Sequence, residues 1–262
     1  MHEKIVEFKD KQGRKIVGTL MVPEWTQPLP IVILCHGFKG NRNQMHIKEI
    51  AEALTRTGLA TLRFDFTENP GESSLPFEDM TVSYELEVLD QAINFVKTQK
   101  EIDPKKIGLA GHSLGGLVVS WYAATHPEIA AVAPLSGVYS FPQMWLHAYG
   151  EEIVKEMKEK GFAFVFSTHL NKPLRIKEGF YEDSEKYDMD KVIDNLVCPL
   201  LVVAGTGDEA VTIDHAQHFY DRSFSKIKEL KIIKGSDHDY SKPEDLVEVK
   251  TAVANWFSKT LL

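Results

Sequence analysis

The chain has 262 residues, 43% of them apolar, enough to bury one substantial core in a single α/β domain. Its formal net charge of −8 runs against nucleic acid, whose phosphates need clustered Lys and Arg, and against an anionic membrane surface. The opening "MHEKIVEFKDKQG" lacks the apolar run of a signal peptide and no segment approaches bilayer-spanning length, so a cytoplasmic, soluble protein with no nucleic-acid or membrane partner is expected.

From the N-terminus, "KIVEFKDKQGRKIVGTLMVP" reads as a β-hairpin, two alternating runs joined by a polar turn that contains Gly13. "PIVILCHG" follows as a buried strand. In "HIKEIAEALTRTG", Ile47, Ile50, Ala51 and Leu54 recur at helical spacing, with Gly58 placed to end the helix. "LATLRFDF" is the next strand, and Val82, Leu86, Leu89, Ile93 and Val96 mark a long helix. "KIGLAG" and "IAAVAPLSG" are strands on either side of the helix "LGGLVVSWYAATH". "PLLVVAG" and "ELKIIKG" complete the strands, and Leu246, Val249, Val253 and Phe257 line one face of a last helix. Cys35 and Cys198 sit in apolar runs and read as buried thiols, not as a disulfide or a metal pair.

Strand–helix alternation of this kind predicts a mostly parallel central sheet with helices on both faces, preceded by the antiparallel hairpin. The rhythm breaks between residues 139 and 190, where no buried-strand run occurs. That length is too great for a structureless loop, so an inserted cap or lid is expected there, with 1–138 and 191–262 forming the core. In open α/β sheets ligands bind beyond the carboxyl ends of the strands, so the loops leaving those ends are where chemistry belongs.

One such loop is "GLAGHSLGG", which puts Ser113 in a Gly-x-Ser-x-Gly frame between a strand and a helix. A sharp turn there lifts the hydroxyl above the sheet and sets the Leu114 N–H at a helix N-terminus, where the dipole favours a developing oxyanion. A serine hydroxyl needs a base, and the base needs an orienting acid. "VVAGTGDEAV" delivers Asp208 after a later strand, and "IIKGSDHDY" delivers His238 after the next, in the order such a site requires. Phe38, after His36-Gly37 in "ILCHGFKGN", is placed to give the second oxyanion N–H, with His36 holding the loop. Asp237 and Asp239 flank the histidine but diverge from its ring, and Asp214 falls inside a predicted helix. His215 and His218 have ligand-like spacing without a recognisable zinc frame, and no dinucleotide or phosphate-loop motif is present, so no metal and no cofactor is expected.

The motifs "HGFKG", "RFDF…PGES", "GHSLGG", "GTGDEAV" and "GSDHDY" together make the chain resemble the α/β-hydrolase superfamily over nearly its whole length. Within it the chain is similar to small bacterial and archaeal carboxylesterases that include the cinnamoyl (feruloyl) esterases. Leu114 stands where many feruloyl esterases carry glutamine, a change that leaves the backbone donor in place. The resemblance implies an α/β-hydrolase fold with Ser113 as nucleophile, Asp208 as acid, His238 as base, and Phe38 and Leu114 as oxyanion donors. It implies hydrolysis of short- to medium-chain acyl or aryl-acyl esters through an acyl-enzyme. The same constellation accepts amides and thioesters, so a peptidase or thioesterase is the alternative, and a non-catalytic binding protein on the same scaffold is a further one. Among the cap aromatics, Phe141, Trp145, Tyr149, Phe162, Phe164 and Phe166 have two roles open to them: anchoring the cap, or lining an acyl pocket above Ser113. Any left exposed would form a homodimer contact through the cap.

Overall fold

The computed structural model describes residues 1–24, 27–168 and 170–262. Strands β1 (His2–Lys9) and β2 (Lys15–Val22) pair antiparallel, His2 opposite Val22 and Lys9 opposite Lys15. The Asp10 carboxylate closes the turn between them by accepting from the Gln12 and Arg14 N–H groups at 3.0 and 2.8 Å. The charged, mostly exposed β1 suits the edge position it takes, where lysines discourage pairing with another chain.

β3 (Leu29–Cys35), α1 (Met45–Arg56), β4 (Ala60–Phe64), α2 (Val82–Lys97), β5 (Ile102–His112), α3 (Leu114–Thr125) and β6 (Ala131–Leu135) follow. After a long excursion the chain returns through β9 (Leu200–Gly205), α6 (Ile213–Arg222), β10 (Lys228–Ile233) and α7 (Pro243–Leu261). The sheet runs β1-β2-β4-β3-β5-β6-β9-β10, antiparallel across β1, β2 and β4 and parallel from β4 onward. This is the mostly parallel sheet with an antiparallel hairpin that the sequence predicts.

Two apolar clusters lie on opposite faces of the sheet. One is built under α2, α3 and α6 with Val88, Leu117 and Phe219, the other under α1 and α7 with Ile50, Leu54, Val253 and Phe257. Each large side chain hidden this way contributes roughly 1.5–3 kcal/mol. Thr81 caps α2 by accepting from the Tyr84 N–H at 3.0 Å, and Gly58, at φ +98°, follows the end of α1. Glu85 lies on the buried face of α2, and neither of its carboxylate oxygens is hydrogen-bonded to any of the described residues. Cys35 is buried and Cys198 half-buried, both free, and Cys198 precedes β9 instead of lying in a strand.

The excursion between β6 and β9 holds α4 (Phe141–Lys160, broken at Gly150), β7 (Phe162–Ser167), β8 (Lys172–Lys177) and α5 (Glu178–Ser184). The β7–β8 hairpin lies in the stretch where the sequence shows no buried-strand run. Its six-residue β7 alternates Ala163, Val165 and Ser167 inward with Phe164 and Phe166 outward, a two-residue period masked in sequence by the density of phenylalanines. Asp183 fastens the excursion to α2, accepting from the Ser83 N–H at 2.7 Å and the Ser83 hydroxyl at 2.6 Å.

Candidate active site

The carboxyl ends of β3, β5, β9 and β10 converge on one region. Ser113 follows β5 directly with φ 55° and ψ −118°, the left-handed backbone expected of a serine forced through a sharp strand-to-helix turn. The turn is pinned on both sides: Ser113 N–H donates to Leu135 O at 2.9 Å, and Val138 N–H donates to Ser113 O at 3.1 Å. Close packing of backbone on backbone makes it possible. A Cβ on Gly115 would strike the Cys35 and His36 carbonyls, and one on Gly37 would come within 2.9 Å of Ser113 Cβ.

Asp208 lies in the loop after β9, and His238 in the loop after β10. The His238 Nδ1–H faces Asp208 Oδ2 at 2.7 Å, while Asp208 Oδ1 accepts from the Ala210 and Val211 N–H groups at 2.9 and 2.8 Å. Burial alone would push the Asp208 carboxyl up. The His238 hydrogen bond and charge, with the two backbone donors, overcome this and hold it below the usual aspartate value. Asp237 is turned to its own loop, accepting from the Ser241 N–H at 2.9 Å, and Asp214 is exposed on α6. His112, beside the serine, donates its Nε2–H to the His238 carbonyl at 2.8 Å.

Gly37 and Phe38 follow β3 and lie against the serine turn. His36 holds this loop: its Nε2 accepts from the Phe66 N–H at 3.3 Å, so its proton sits on Nδ1, which donates to Gly37 O at 2.9 Å. Leu114 opens α3, so its N–H belongs to the first turn, where no intrahelical acceptor is available. Gly37, Phe38, Ser113 and His238 line a single cavity of about 830 Å³.

The family model described as the alpha/beta hydrolase fold matches residues 30–160, half of the chain, and the sheet order and serine turn agree with it. The chain belongs to the α/β-hydrolase family. Esterase EstD of Thermotoga maritima is 26% identical over 257 residues, covering 88% of this hydrolase and 59% of EstD. An uncharacterized 31.7 kDa protein of Escherichia coli is 36% identical over 129 residues, 49% of the chain and 44% of that protein. The hydrolase therefore spans less than two thirds of the length of these curated relatives. Among solved structures, Est1E from Butyrivibrio proteoclasticus with ferulic acid bound superposes with a TM-score of 0.81 at 25% identity, covering 97% of this chain and 98% of Est1E. The esterase domain of a Rhodothermus marinus protein gives 0.76 at 26% identity, with both chains fully covered.

The aromatics of the excursion between β6 and β9 divide unevenly. Tyr149 lines the cavity. Phe141 and Trp145, both fully buried, instead pack around Phe180 at 5.2 and 5.5 Å and serve as core. Phe162 packs edge-on to Phe164 at 5.7 Å under the Arg175 guanidinium, and Phe164 and Phe166 point outward, 53% and 54% exposed. Of the two roles left open for the six, the pleat of β7 and the face of α4 that meets α5 keep these five out of the cavity lining. Cavity residues that the sequence reading missed include Met144 and Ala148, one turn apart on α4, together with Val211 and Lys39. The 141/144/145/148/149 stripe was a usable helical signal for the first two.

Lys39 spans from the Phe38 loop to the hairpin, donating to Phe166 O at 3.1 Å with its ammonium 5.3 Å from the Tyr149 ring centre; burial lowers its pKa against the Asp239 charge. The Asp65 carboxylate of "RFDF" is buried and accepts from the Arg42 N–H at 2.7 Å, the Arg42 guanidinium, and the Glu72 N–H at 2.9 Å, tying the loop after β3 to the end of β4. His215 is a structural group: Nδ1 accepts from the Tyr139 N–H at 2.9 Å, and burial first, then the charge of neighbouring histidines, pushes its pKa down to about 4. His218, by contrast, is exposed, so the pair does not share an environment. No helix among the described residues is long and apolar enough to cross a membrane.

Proposed function

We propose that this hydrolase is a serine carboxylesterase in which Ser113, His238 and Asp208 form the catalytic triad and residues 139–190 form a cap over it. The observation that carries the reading is the 2.7 Å contact of His238 with a buried, backbone-anchored Asp208, on the cavity that also holds a serine at φ 55°. His238 takes the Ser113 proton as Oγ attacks the ester carbonyl, and Asp208 holds the ring in the tautomer that leaves Nε2 free to accept it. The Phe38 and Leu114 N–H groups stabilise the tetrahedral oxyanion. The alcohol leaves with the proton from His238, giving the acyl-enzyme, and water repeats the sequence to release the acid.

The acyl group is taken up between Phe38, Met144, Ala148, Tyr149 and Val211, a mixed aromatic and aliphatic wall that suits short- to medium-chain acyl and aryl-acyl groups. The likeness to Est1E, a protein seen with ferulic acid bound, supports including aryl-acrylate esters in that range.

Ser113→Ala is expected to lower turnover of a p-nitrophenyl ester by about 10⁶, the order found for a serine acting as part of a triad. A fluorophosphonate should label Ser113 stoichiometrically. Near-wild-type turnover by the variant, or an adduct mapped to another residue, would sink the assignment. A p-nitrophenyl ester series of rising acyl length, with methyl ferulate alongside, defines the substrate range.

A further inference from the structure

Three other ligand-bearing side chains line the same cavity: His46, His112 and Asp239. One ring nitrogen from each imidazole and a carboxylate oxygen of Asp239 all lie within 4.8 Å of one another. The two rings are 4% and 3% exposed, with centroids 4.2 Å apart. Nε2 of His46 is buried without a hydrogen-bond partner among the described residues. Leaving a buried polar atom unsatisfied costs about 1–3 kcal/mol, so this nitrogen requires an explanation.

The chemistry of the set points to a metal. His112 donates its Nε2–H to the His238 carbonyl, which leaves the lone pair on Nδ1. A ligating imidazole characteristically donates its other N–H to a backbone carbonyl in this way. Two imidazoles and one carboxylate suit Zn²⁺ and its borderline neighbours, whereas Ca²⁺ and Mg²⁺ call for oxygen ligands.

We infer that His46, His112 and Asp239 form a binding site for a divalent transition metal of the Zn²⁺ type, and that its occupancy reversibly inhibits the enzyme. Ligand atoms of a tetrahedral zinc site lie about 3.4 Å apart, given bonds of about 2.0–2.1 Å. The set therefore closes on binding, and the exposed Asp239 is the member free to swing inward. The fourth position is left to water from the cavity. Asp239 follows His238 directly in the chain and the His112 and His238 ring centroids are 4.7 Å apart, so a metal held by this set occupies the cavity beside His238 and obstructs the acyl group there. The binding half of the inference stands without the esterase reading; the inhibition half rests on it.

Calorimetric titration of the metal-free protein with ZnCl₂, and Co²⁺ absorption as a second probe, test the site. One equivalent should bind to the wild type and equally to His238→Ala. His46→Phe and Asp239→Asn should each weaken binding at least about tenfold. Asp239 is exposed, so its variant folds irrespective of what happens to His46→Phe. Zn²⁺ should slow ester turnover of the wild type and EDTA restore it, with Asp239→Asn resistant. Absence of one-equivalent binding, unchanged affinity in both ligand variants, or loss of binding in His238→Ala overturns the site. Binding without inhibition overturns the regulatory half. Should Ser113→Ala remain active while zinc binding follows the expected pattern, the esterase reading fails and the site stands.

Discussion

Asp208 gives one carboxylate oxygen to its own loop and the other to His238, at 2.7 Å. The two backbone donors orient the carboxylate independently of the histidine, so the acid is preset and the imidazole docks on it. Asp208→Asn keeps the loop acceptor but can present an amide N–H to Nδ1, which favours the wrong tautomer. Turnover of a p-nitrophenyl ester is expected to fall by about 10⁴ with unchanged circular dichroism. Asp237→Asn should remain within a few-fold of wild type, since that carboxylate serves the Ser241 N–H. Equal damage from the two substitutions would mean that the acid has been misassigned.

Gly37 is held against the serine turn with no room for a methyl group: its Cβ would lie 2.9 Å from Ser113 Cβ and 3.2 Å from His112 Nδ1. Gly37→Ala must displace the peptide that carries the Phe38 N–H. Loss of one oxyanion donor costs roughly 10²–10³ in kcat, and the substitution should fall in that range with little change in KM. Equal kcat for variant and wild type would remove Phe38 from the oxyanion role.

Arg42 and Asp65 form a buried ion pair, 4% and 0% exposed, extended by a 2.6 Å bond from Arg42 to Glu72. Removing one partner of such a pair strands the other charge and costs about 3–5 kcal/mol. Arg42→Ala should lower the denaturant midpoint accordingly and, because the pair fastens the loop after β3, also reduce turnover. A midpoint within experimental error of wild type refutes the pair's role.

Glu85 is fully buried with both carboxylate oxygens unpartnered among the described residues, and burial pushes its pKa well above the ordinary glutamate value. The folded chain then holds this proton more tightly than the unfolded chain. The associated stability is complete below about pH 4.3, the unfolded value, and declines as pH rises toward the folded-state pKa. Glu85→Gln retains the shape and removes the titration. As pH rises from the unfolded value toward the folded-state pKa, urea unfolding of the wild type should lose stability relative to the variant by up to about 1.4 kcal/mol per pH unit. Parallel profiles for the two proteins would refute this.

Local signals were readable where a single element carries them. The hairpin, the apolar strands and the strand–Gly-x-Ser-x-Gly–helix turn depend on neighbours in sequence, and Asp208 and His238 follow from the rule that places function at strand ends. Features decided by tertiary packing were not readable in this way. Nothing local tells that Phe141 and Trp145 meet Phe180 while Tyr149 meets the cavity, or that the phenylalanines of β7 sit on its outer pleat. Arg42 and Asp65 find each other across a helix and a strand. His46 and His112 meet only once α1 and β5 are folded. Glu85 lies at helical spacing from Val82 and Leu89, so its face was legible, but its lack of a partner was not.

The groups placed for chemistry hang from the ends of β3, β5, β9 and β10, whereas Met144, Ala148 and Tyr149 come from the excursion between β6 and β9. That excursion leaves the sheet at one point and rejoins it at the adjacent strand, so its length and packing can change without shifting the register of any β ladder. Under the proposed reading, the walls that meet the acyl group and the backbone that strains the serine are therefore separable parts of one chain, and the detour can be remodelled without disturbing the serine turn.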